Sequence, residues 1–513
     1  MTSPQHRSQV LQDPPLPIGI PDKFRDYLTT ALITCVALIV RVWNLSGRSL
    51  SYDEGFSFHF STLPLKDILT NTQESNPPLY FSLLHIWTKL FGDSELSLRL
   101  PSVLCGILAI LLIGWVARLI RGRQLAWISM GLLAIMPLSV EHSQIARAYS
   151  LFLMLSLASY GCLLRWEILK RTRWVVAYVL TTTLMCYAHY YALFNVIAQH
   201  LYLTWQVYRR RISFRQWMCL FVPAILGYLP CLLIMFQRLH SSSSEGFWLP
   251  KPSLLMLIYT PHFYVTRYLS PELVWAYVAL AVLGLIRLKQ SSRNIIQGLR
   301  KRRKPLAWSG FLACRRTDGF LLLWMICPLL IPFIWSRIGT PMFWPRYTVA
   351  AAPAFAMLVS QGLLNLSTRS MRYSMTCMLA TITAMSLSRY HAQPTESWRA
   401  LTATVRSLAQ PDDALTISDM GAQWVFDYYI RGSLAFHPLP ATVRDNQQKT
   451  TQGSLERIVT GHRRLWMVID PEPFYSGRQV NELFIAQYPS ARLFYLREFP
   501  GSPGVLYLFG YDL

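Results

Sequence analysis

Acidic residues are scarce in this chain: 26 Asp and Glu stand against 49 Lys and Arg in 513 residues, a formal net charge of +23. Charge of either sign is thin, at 15%, where a soluble protein of this length carries about a quarter. The nine cysteines lie mostly in apolar segments, show no CxxC or Cys/His ligand spacing, and none follows Cys377. That excludes a disulfide framework and a zinc site. No inverted repeat of the kind that marks many transporters is present, and no long low-complexity run. The first 20 residues are polar and proline-rich, with no short basic region and no small-residue cleavage site. The first apolar stretch therefore reads as a retained span and not as a signal peptide.

What the chain has is apolar length, with 52% of its residues hydrophobic. Runs near the roughly 20 residues needed to cross hydrocarbon recur along its first three quarters. They predict membrane helices over 27–45, 98–118, 124–140, 147–168, 174–188, 190–208, 216–236, 271–288, 319–338, 345–366 and 373–389. The fold class expected is a mainly α, polytopic membrane protein with about 11 transmembrane helices. The stretch 77–91, PPLYFSLLHIWTKLF, is too short to cross and reads as an interfacial or re-entrant helix.

On a soluble surface, such a charge would suggest nucleic acid. Here the cations cluster in every second loop: Arg118, Arg121 and Arg123; Arg165, Lys170, Arg171 and Arg173; Arg209, Arg210, Arg211 and Arg215; then RLKQSSRNIIQGLRKRRK with Arg315 and Arg316; then Arg369 and Arg372. The bias of Lys and Arg toward cytoplasmic loops puts these inside. The opposite loops, LSYDEG, EHSQIAR, HYY, SSSSEGFWLPKP and FWPRY, then lie outside the plasma (inner) membrane. The organisation expected is a cytoplasmic tail over 1–26, a membrane domain over 27–390 with a large first outer loop at 46–97, and an outer α/β domain over 391–513. In the last of these, ALTISD, RLWMVID, RLFYLREF and GVLYLFGY read as strands. WRALTATVRSLA, GAQWVFDYYI and QVNELFIAQYP read as helices.

The adjacent acids Asp53 and Glu54 follow directly on the first apolar stretch. A carboxylate at a membrane boundary keeps its charge only if water, a cation or a donor solvates it. Neighbouring side chains diverge, so one acid is free to take a proton from a hydroxyl while the other orients an arginine or a divalent ion. The competing reading is structural: Ser51 or Asp53 caps a helix that begins at Glu54. Local sequence leaves both open.

The surroundings of the acids carry a resemblance. An apolar first span ending in SYDE is followed in order by NPPLYFSLLHIWTKLFGDSELSLRLPS, QIARAYSLFLMLSLAS, HYYALFNVIAQHL and PRYTVAAAPAFAML. Over roughly residues 25 to 390 the chain resembles the C-type integral-membrane glycosyltransferases, specifically the dolichyl-phosphate-mannose protein mannosyltransferase group and its bacterial relatives, which include the lipid A aminoarabinose transferases. The resemblance implies a polyprenyl-phosphate-linked sugar donor, work at the outer or lumenal face, and Asp53 as the catalytic carboxylate with Glu54 beside it. Asn76 stands where relatives often have histidine, and the C-terminal part does not match the MIR module of protein mannosyltransferases.

A lipid-phosphate donor needs a cation for its phosphate, and a forked guanidinium suits phosphate better than an ammonium. Arg346 in FWPRY is the first candidate, with Tyr347 beside it, and the resemblance to the family's Arg-Tyr motif agrees; the bland alternative is an anchor reaching for headgroups. Arg147 in QIARAYS is the second, weighed against an ion pair that only holds the loop. His189 and Tyr190, with Tyr191, match the family's HY motif and are candidate substrate contacts, as is Arg99, which also suits closing the first loop against the bundle. Lys251 and Arg267 are candidates for covering the donor from a loop that orders on binding. Glu141 and His142 fall far short of a ligand set. Metal dependence stays open: a divalent ion would have only Asp53 and Glu54 as ligands here. The acceptor expected is a lipid-linked glycan, lipopolysaccharide, another envelope polymer or a protein. The rival class is a transporter or flippase for a lipid-linked solute, and a third reading is a scaffold subunit.

Overall fold

The computed structural model describes residues 22–70, 76–242, 249–285, 309–418, 421–432, 434–439, 448–470, 477–501 and 504–513. The predicted basic loop over 287–304 and the second half of the serine run at 241–244 lie outside them. The chain opens with α1 (Asp22–Val42), α2 (Tyr52–Thr62), α3 (Leu65–Thr70), α4 (Leu79–Phe91), α5 (Glu95–Arg121), α6 (Arg123–Ile135) and α7 (Pro137–Ser143). It continues with α8 (Tyr149–Leu169), α9 (Thr172–Ala188), α10 (Ala192–Tyr208), α11 (Phe214–Ser242), α12 (Leu254–Ile258), α13 (Thr260–Val265) and α14 (Val274–Leu285). After α15 (Ser309–Ile338), a 3₁₀ turn (Pro345–Ala351) leads into α16 (Ala352–Asn365), followed by α17 (Arg369–Ala392).

Each of the predicted apolar segments contains helix among the described residues, and residues 286–288 of the segment 271–288 lie outside them. Among the described residues five helical stretches are long and apolar enough to cross a membrane, or six if the bent pair α6–α7 counts as one. The segment predicted as one helix over 124–140 is in fact broken, with a 61° bend between α6 and α7. Pro137 explains the break, since its ring has no N–H to give and displaces the carbonyl one turn back. Arg41, fully buried at the end of α1, takes up the carbonyls this leaves, donating to Ala134 O at 2.8 Å and Leu133 O at 3.5 Å. It also holds Ser139 Oγ at 2.8 Å and Ser143 Oγ at 3.1 Å, on α7 itself. A guanidinium thus fixes the short helix that leads into the loop bearing Arg147.

The stretch 77–91 forms the 13-residue α4, which buries Tyr80, Phe81, Leu84 and His85 on one face. The helices of the bundle run so that the turns rich in arginine, after α5, α8, α10 and α16, lie at the ends opposite to the loops bearing Asp53, Arg147, His189 and Arg346.

Beyond α17 come α18 (Trp398–Leu408), β1 (Ala414–Ile417), α19 (Gln423–Ile430), β2 (His437–Pro438), α20 (Gln448–Val459), β3 (Arg464–Ile469), α21 (Gly477–Gln487), β4 (Arg492–Pro500) and β5 (Val505–Asp512). The five strands form one sheet in the order β2-β1-β3-β5-β4. β1 pairs parallel with β2 and β3, whereas β5 runs antiparallel to β3 and β4. The four strands and three helices read from sequence are all present; β2 and α20 are additional. α19 packs on α2, so the sheet-bearing part of the chain reaches the acids.

Candidate active site

Ser51 caps α2, which makes Asp53 the second and Glu54 the third residue of the helix. A third-position glutamate reaches back to the cap, and Ser51 N–H donates to Glu54 Oε2 at 2.9 Å. The capping alternative thus applies to Ser51, with the helix starting two residues before the position expected.

The two acids then part. Glu54 is 1% exposed and meets Arg99 in a fork, with Nε to Oε1 at 2.7 Å and Nη2 to Oε2 at 2.8 Å. Ala146 N–H adds a bond to Oε1 at 3.0 Å. Burial alone would raise this carboxyl, but Arg99 and the backbone donors outweigh it and hold the acid below its ordinary value. Arg99 spends its remaining N–H groups on the carbonyls of Leu45 at 2.5 Å, Arg48 at 2.9 Å and Ser49 at 2.9 Å. All five of its donors are therefore satisfied inside the protein. Arg99 as a substrate contact is corrected by this: it closes the first loop on the bundle. Glu54, ringed by donors, is likewise a brace and not a group free to react.

Asp53 keeps about a quarter of its side chain exposed and faces two guanidiniums. Arg346 Nη2 lies 3.1 Å from Oδ2, and Arg147 Nη2 lies 3.8 Å from Oδ1. Burial pushes the carboxyl up, yet Arg147 and Arg346 more than reverse that and hold it below the usual carboxylate range. Arg147 is steadied by the Asp53 carbonyl at 3.5 Å and Ser57 Oγ at 3.4 Å. Arg346 Nε is buried and has no hydrogen-bond partner among the described residues. Its guanidinium lies 5.8 Å from the ring centre of Tyr149 and 5.4 Å from that of Tyr347, which walls it with aromatic faces.

His189 sits 5% exposed behind this cluster, stacked on Phe152 with ring centres 5.1 Å apart. Its Nδ1 accepts from Tyr191 N–H at 3.1 Å, which leaves Nε2 to carry the proton. Burial, then Arg147 and Arg346, lower its pKa to about 3, so it stays neutral. Tyr191 hydroxyl donates to Met342 O at 2.6 Å and ties this turn to the segment leading to Arg346. Tyr190 is half-buried against the bundle.

The remaining candidates are paired elsewhere or exposed. Arg267 is held by Glu141, at 2.8 and 2.6 Å to its two oxygens. Lys251 is exposed, beside Pro252 whose carbonyl Arg337 holds at 3.2 Å, and no hydrogen bond or ion pair joins it to Asp53 or Arg346. Asp53 and Glu54 do not fit a divalent ion together, because Glu54 is saturated and Asp53 already faces two cations. Among the described residues no group of three or more His, Cys, Asp and Glu converges as metal ligands would. Sequence reading passed over Tyr149, Ser57 and Glu396, whose Oε2 accepts from Tyr52 N–H at 2.8 Å. Tyr149 had a local signal, two residues after Arg147; Glu396, 344 residues from Tyr52, had none.

Residues 75–236 match a family model described as dolichyl-phosphate-mannose-protein mannosyltransferase. A polyprenol-phosphate-mannose–protein mannosyltransferase of Mycolicibacterium smegmatis is 27% identical over 164 residues, 29% of this chain and 31% of that protein. The match thus spans about a third of the curated relative's length. The apo structure of ArnT from Cupriavidus metallidurans superposes with a TM-score of 0.59 at 14% identity, over 94% of this chain and 98% of that one. ArnT bound to undecaprenyl phosphate gives 0.52 at 16% identity, over 93% and 97%. The apo oligosaccharyltransferase of Archaeoglobus fulgidus gives 0.54 at 13% identity, over 88% and 70%. These likenesses to solved structures are likenesses of fold.

Proposed function

We propose that the chain is a C-type integral-membrane glycosyltransferase, an enzyme moving a sugar from a polyprenyl-phosphate donor to a hydroxyl of an envelope glycan, glycolipid or protein; the family-model match over residues 75–236 and the likeness of fold support this reading. The observation that carries the reading is the convergence of Asp53, Arg346 and Arg147, from three separate loops, at one end of the helices. One carboxylate and two guanidiniums are what a sugar leaving with a phosphate requires.

Asp53 is the general base, taking the proton from the acceptor hydroxyl as it attacks the anomeric carbon, with inversion. The departing phosphate gains charge, and Arg346, with Arg147 behind it, stabilises that charge in place. The Nε of Arg346, which has no partner among the described residues, gives the phosphate a donor. With the donor absent, Asp53 is the counter-ion of both arginines and a weak base. A phosphate competing for Arg346 releases Asp53 and makes it more basic when the substrate is present. Tyr347, backed by the buried Tyr149 and neutral His189, is the aromatic wall nearest the sugar ring.

The outer face is the side proposed for the reaction, since the arginine-rich turns at the opposite helix ends belong to the cytoplasm. Gathering of the site's ionisable groups at helix ends, rather than along a path through the bundle, supports interfacial chemistry over transport. Asp53→Asn is expected to lower sugar transfer by about 10²–10⁴-fold, while undecaprenyl phosphate still binds. Mass spectrometry of envelope glycolipids and glycoproteins in a deletion strain carrying either allele checks this. Unchanged profiles in both the deletion strain and the Asp53→Asn strain would remove the enzymatic reading, and an unchanged profile with the Asp53→Asn allele alone would remove Asp53 as the base.

A further inference from the structure

The helix that carries Asp53 is gripped by the part of the chain that follows the bundle. The first N–H groups of a helix lack partners within it, and that of Tyr52 donates to Glu396 Oε2 at 2.8 Å. The same oxygen accepts from Trp398 Nε1 at 2.7 Å. Trp398 is fully buried, so the position of that oxygen is set by an indole that cannot move. Further along α2, a Cβ on Gly55 would lie 2.5 Å from the Val425 backbone, which shows how closely α19 approaches. Phe58 meets Tyr428 edge to face at 5.0 Å, and His59 stacks on Trp424. Just before the helix, Leu50 N–H donates to Tyr429 hydroxyl at 2.7 Å.

An 11-residue helix has little stability alone, so its place and rotation come from what it packs on. Resting on the reading of Asp53 as the base, we propose that Glu396 is a positioning residue for sugar transfer: through the Tyr52 amide it fixes the first turn of α2, and with it the Asp53 carboxylate, without touching substrate. The C-terminal part of the chain then has a task in turnover beyond any contact with the acceptor. Burial raises the Glu396 carboxyl to about 8, with Asp470 and Asp53 adding to the rise. Near neutral pH it is therefore mostly protonated, and Oε2 serves as a neutral carbonyl acceptor. A glutamine amide supplies the same acceptor in the same place, whereas alanine supplies none.

The test uses the full chain in lipid nanodiscs, with polyprenyl-phosphate-mannose as probe donor and wild type, Glu396→Ala, Glu396→Gln, Trp398→Phe and Asp53→Asn compared. Displacement of a reacting group by about 1 Å costs on the order of 10²-fold, so Glu396→Ala is expected to lose about 10- to 100-fold in kcat with donor KM within about twofold. Glu396→Gln is expected to recover turnover to near wild type, a rescue that loss of bulk or fold would not give. Hydrogen–deuterium exchange over 50–62 is expected to quicken in Glu396→Ala, stay unchanged in Glu396→Gln, and quicken less in Trp398→Phe, which reports on the anchor if the alanine variant does not fold. Unchanged exchange in Trp398→Phe and Glu396→Ala overturns the proposal whatever sugar the enzyme takes. So does a Glu396→Gln variant as slow as alanine. Full turnover by Asp53→Asn sinks the reading of the base instead, and leaves the exchange result to judge the anchor alone.

Discussion

An α-helix turns about 100° per residue, so Asp53 and Glu54 leave α2 in different directions, one toward Arg147 and Arg346 and one toward Arg99. Their fates follow from that rotation. Glu54 accepts from Ser51, Ala146 and Arg99, and Arg99 in turn binds three carbonyls of the loop. Breaking a buried pair leaves an uncompensated charge, which costs about 3–5 kcal/mol. Glu54→Gln is therefore expected to lower the melting temperature and the yield of folded protein more than Asp53→Asn does, whereas Asp53→Asn lowers turnover by about 10²–10⁴-fold. Thermal unfolding of the two purified variants, side by side with donor turnover, checks the split. The motif around Asp53, Arg147 and Arg346 could be read from sequence, because each sits in a short local pattern at a loop. That Glu54 is spent on Arg99, 45 residues away, could not, since adjacent acids look alike until the chain folds.

At the scale of elements, hydropathy located the helices well and their interruptions poorly. The bend at Pro137 joins two apolar runs that a sliding window reads as one. Its stability depends on Arg41, nearly a hundred residues earlier, meeting the freed carbonyls. Close approach is equally hidden. A Cβ on Gly362 would lie 2.0 Å from Leu280 O, and one on Gly284 would lie 2.2 Å from Leu358 O. α14 and α16 thus touch backbone to backbone, as small residues permit between membrane helices. Gly362→Ala is expected to destabilise by about 1–3 kcal/mol through overpacking, seen as a lower melting temperature in detergent. Gly131, where a Cβ meets nothing, supplies the control: Gly131→Ala leaves melting unchanged or slightly raised.

For the whole molecule, the junction between bundle and sheet decides how stability responds to pH. Burial, with Asp470 and Asp53, raises Glu396 from the ordinary 4.5 to about 8. A raised carboxyl contributes stability that is complete below its unfolded value and is lost as pH climbs through the folded one. Asp53, held low by two arginines, contributes the opposite way: its share is present above the ordinary value and disappears as pH falls. The melting temperature of the wild type is therefore expected to fall between about pH 5 and pH 9, and to fall less in Glu396→Gln, which has no proton to lose. A thermal melt across that range reads both.

By itself the sequence determined where the helices lie, which of their ends carry arginine, and that an acid and two arginines stand in the opposite loops. These are local matters of hydropathy and charge, written within one turn or one span. Only the tertiary structure decided which acid faces Arg147 and Arg346, which arginine serves as a brace, and that the far end of the chain packs on the helix bearing Asp53. Those outcomes depend on partners brought together from up to 379 residues apart, and no local pattern encodes which of several possible partners burial will choose.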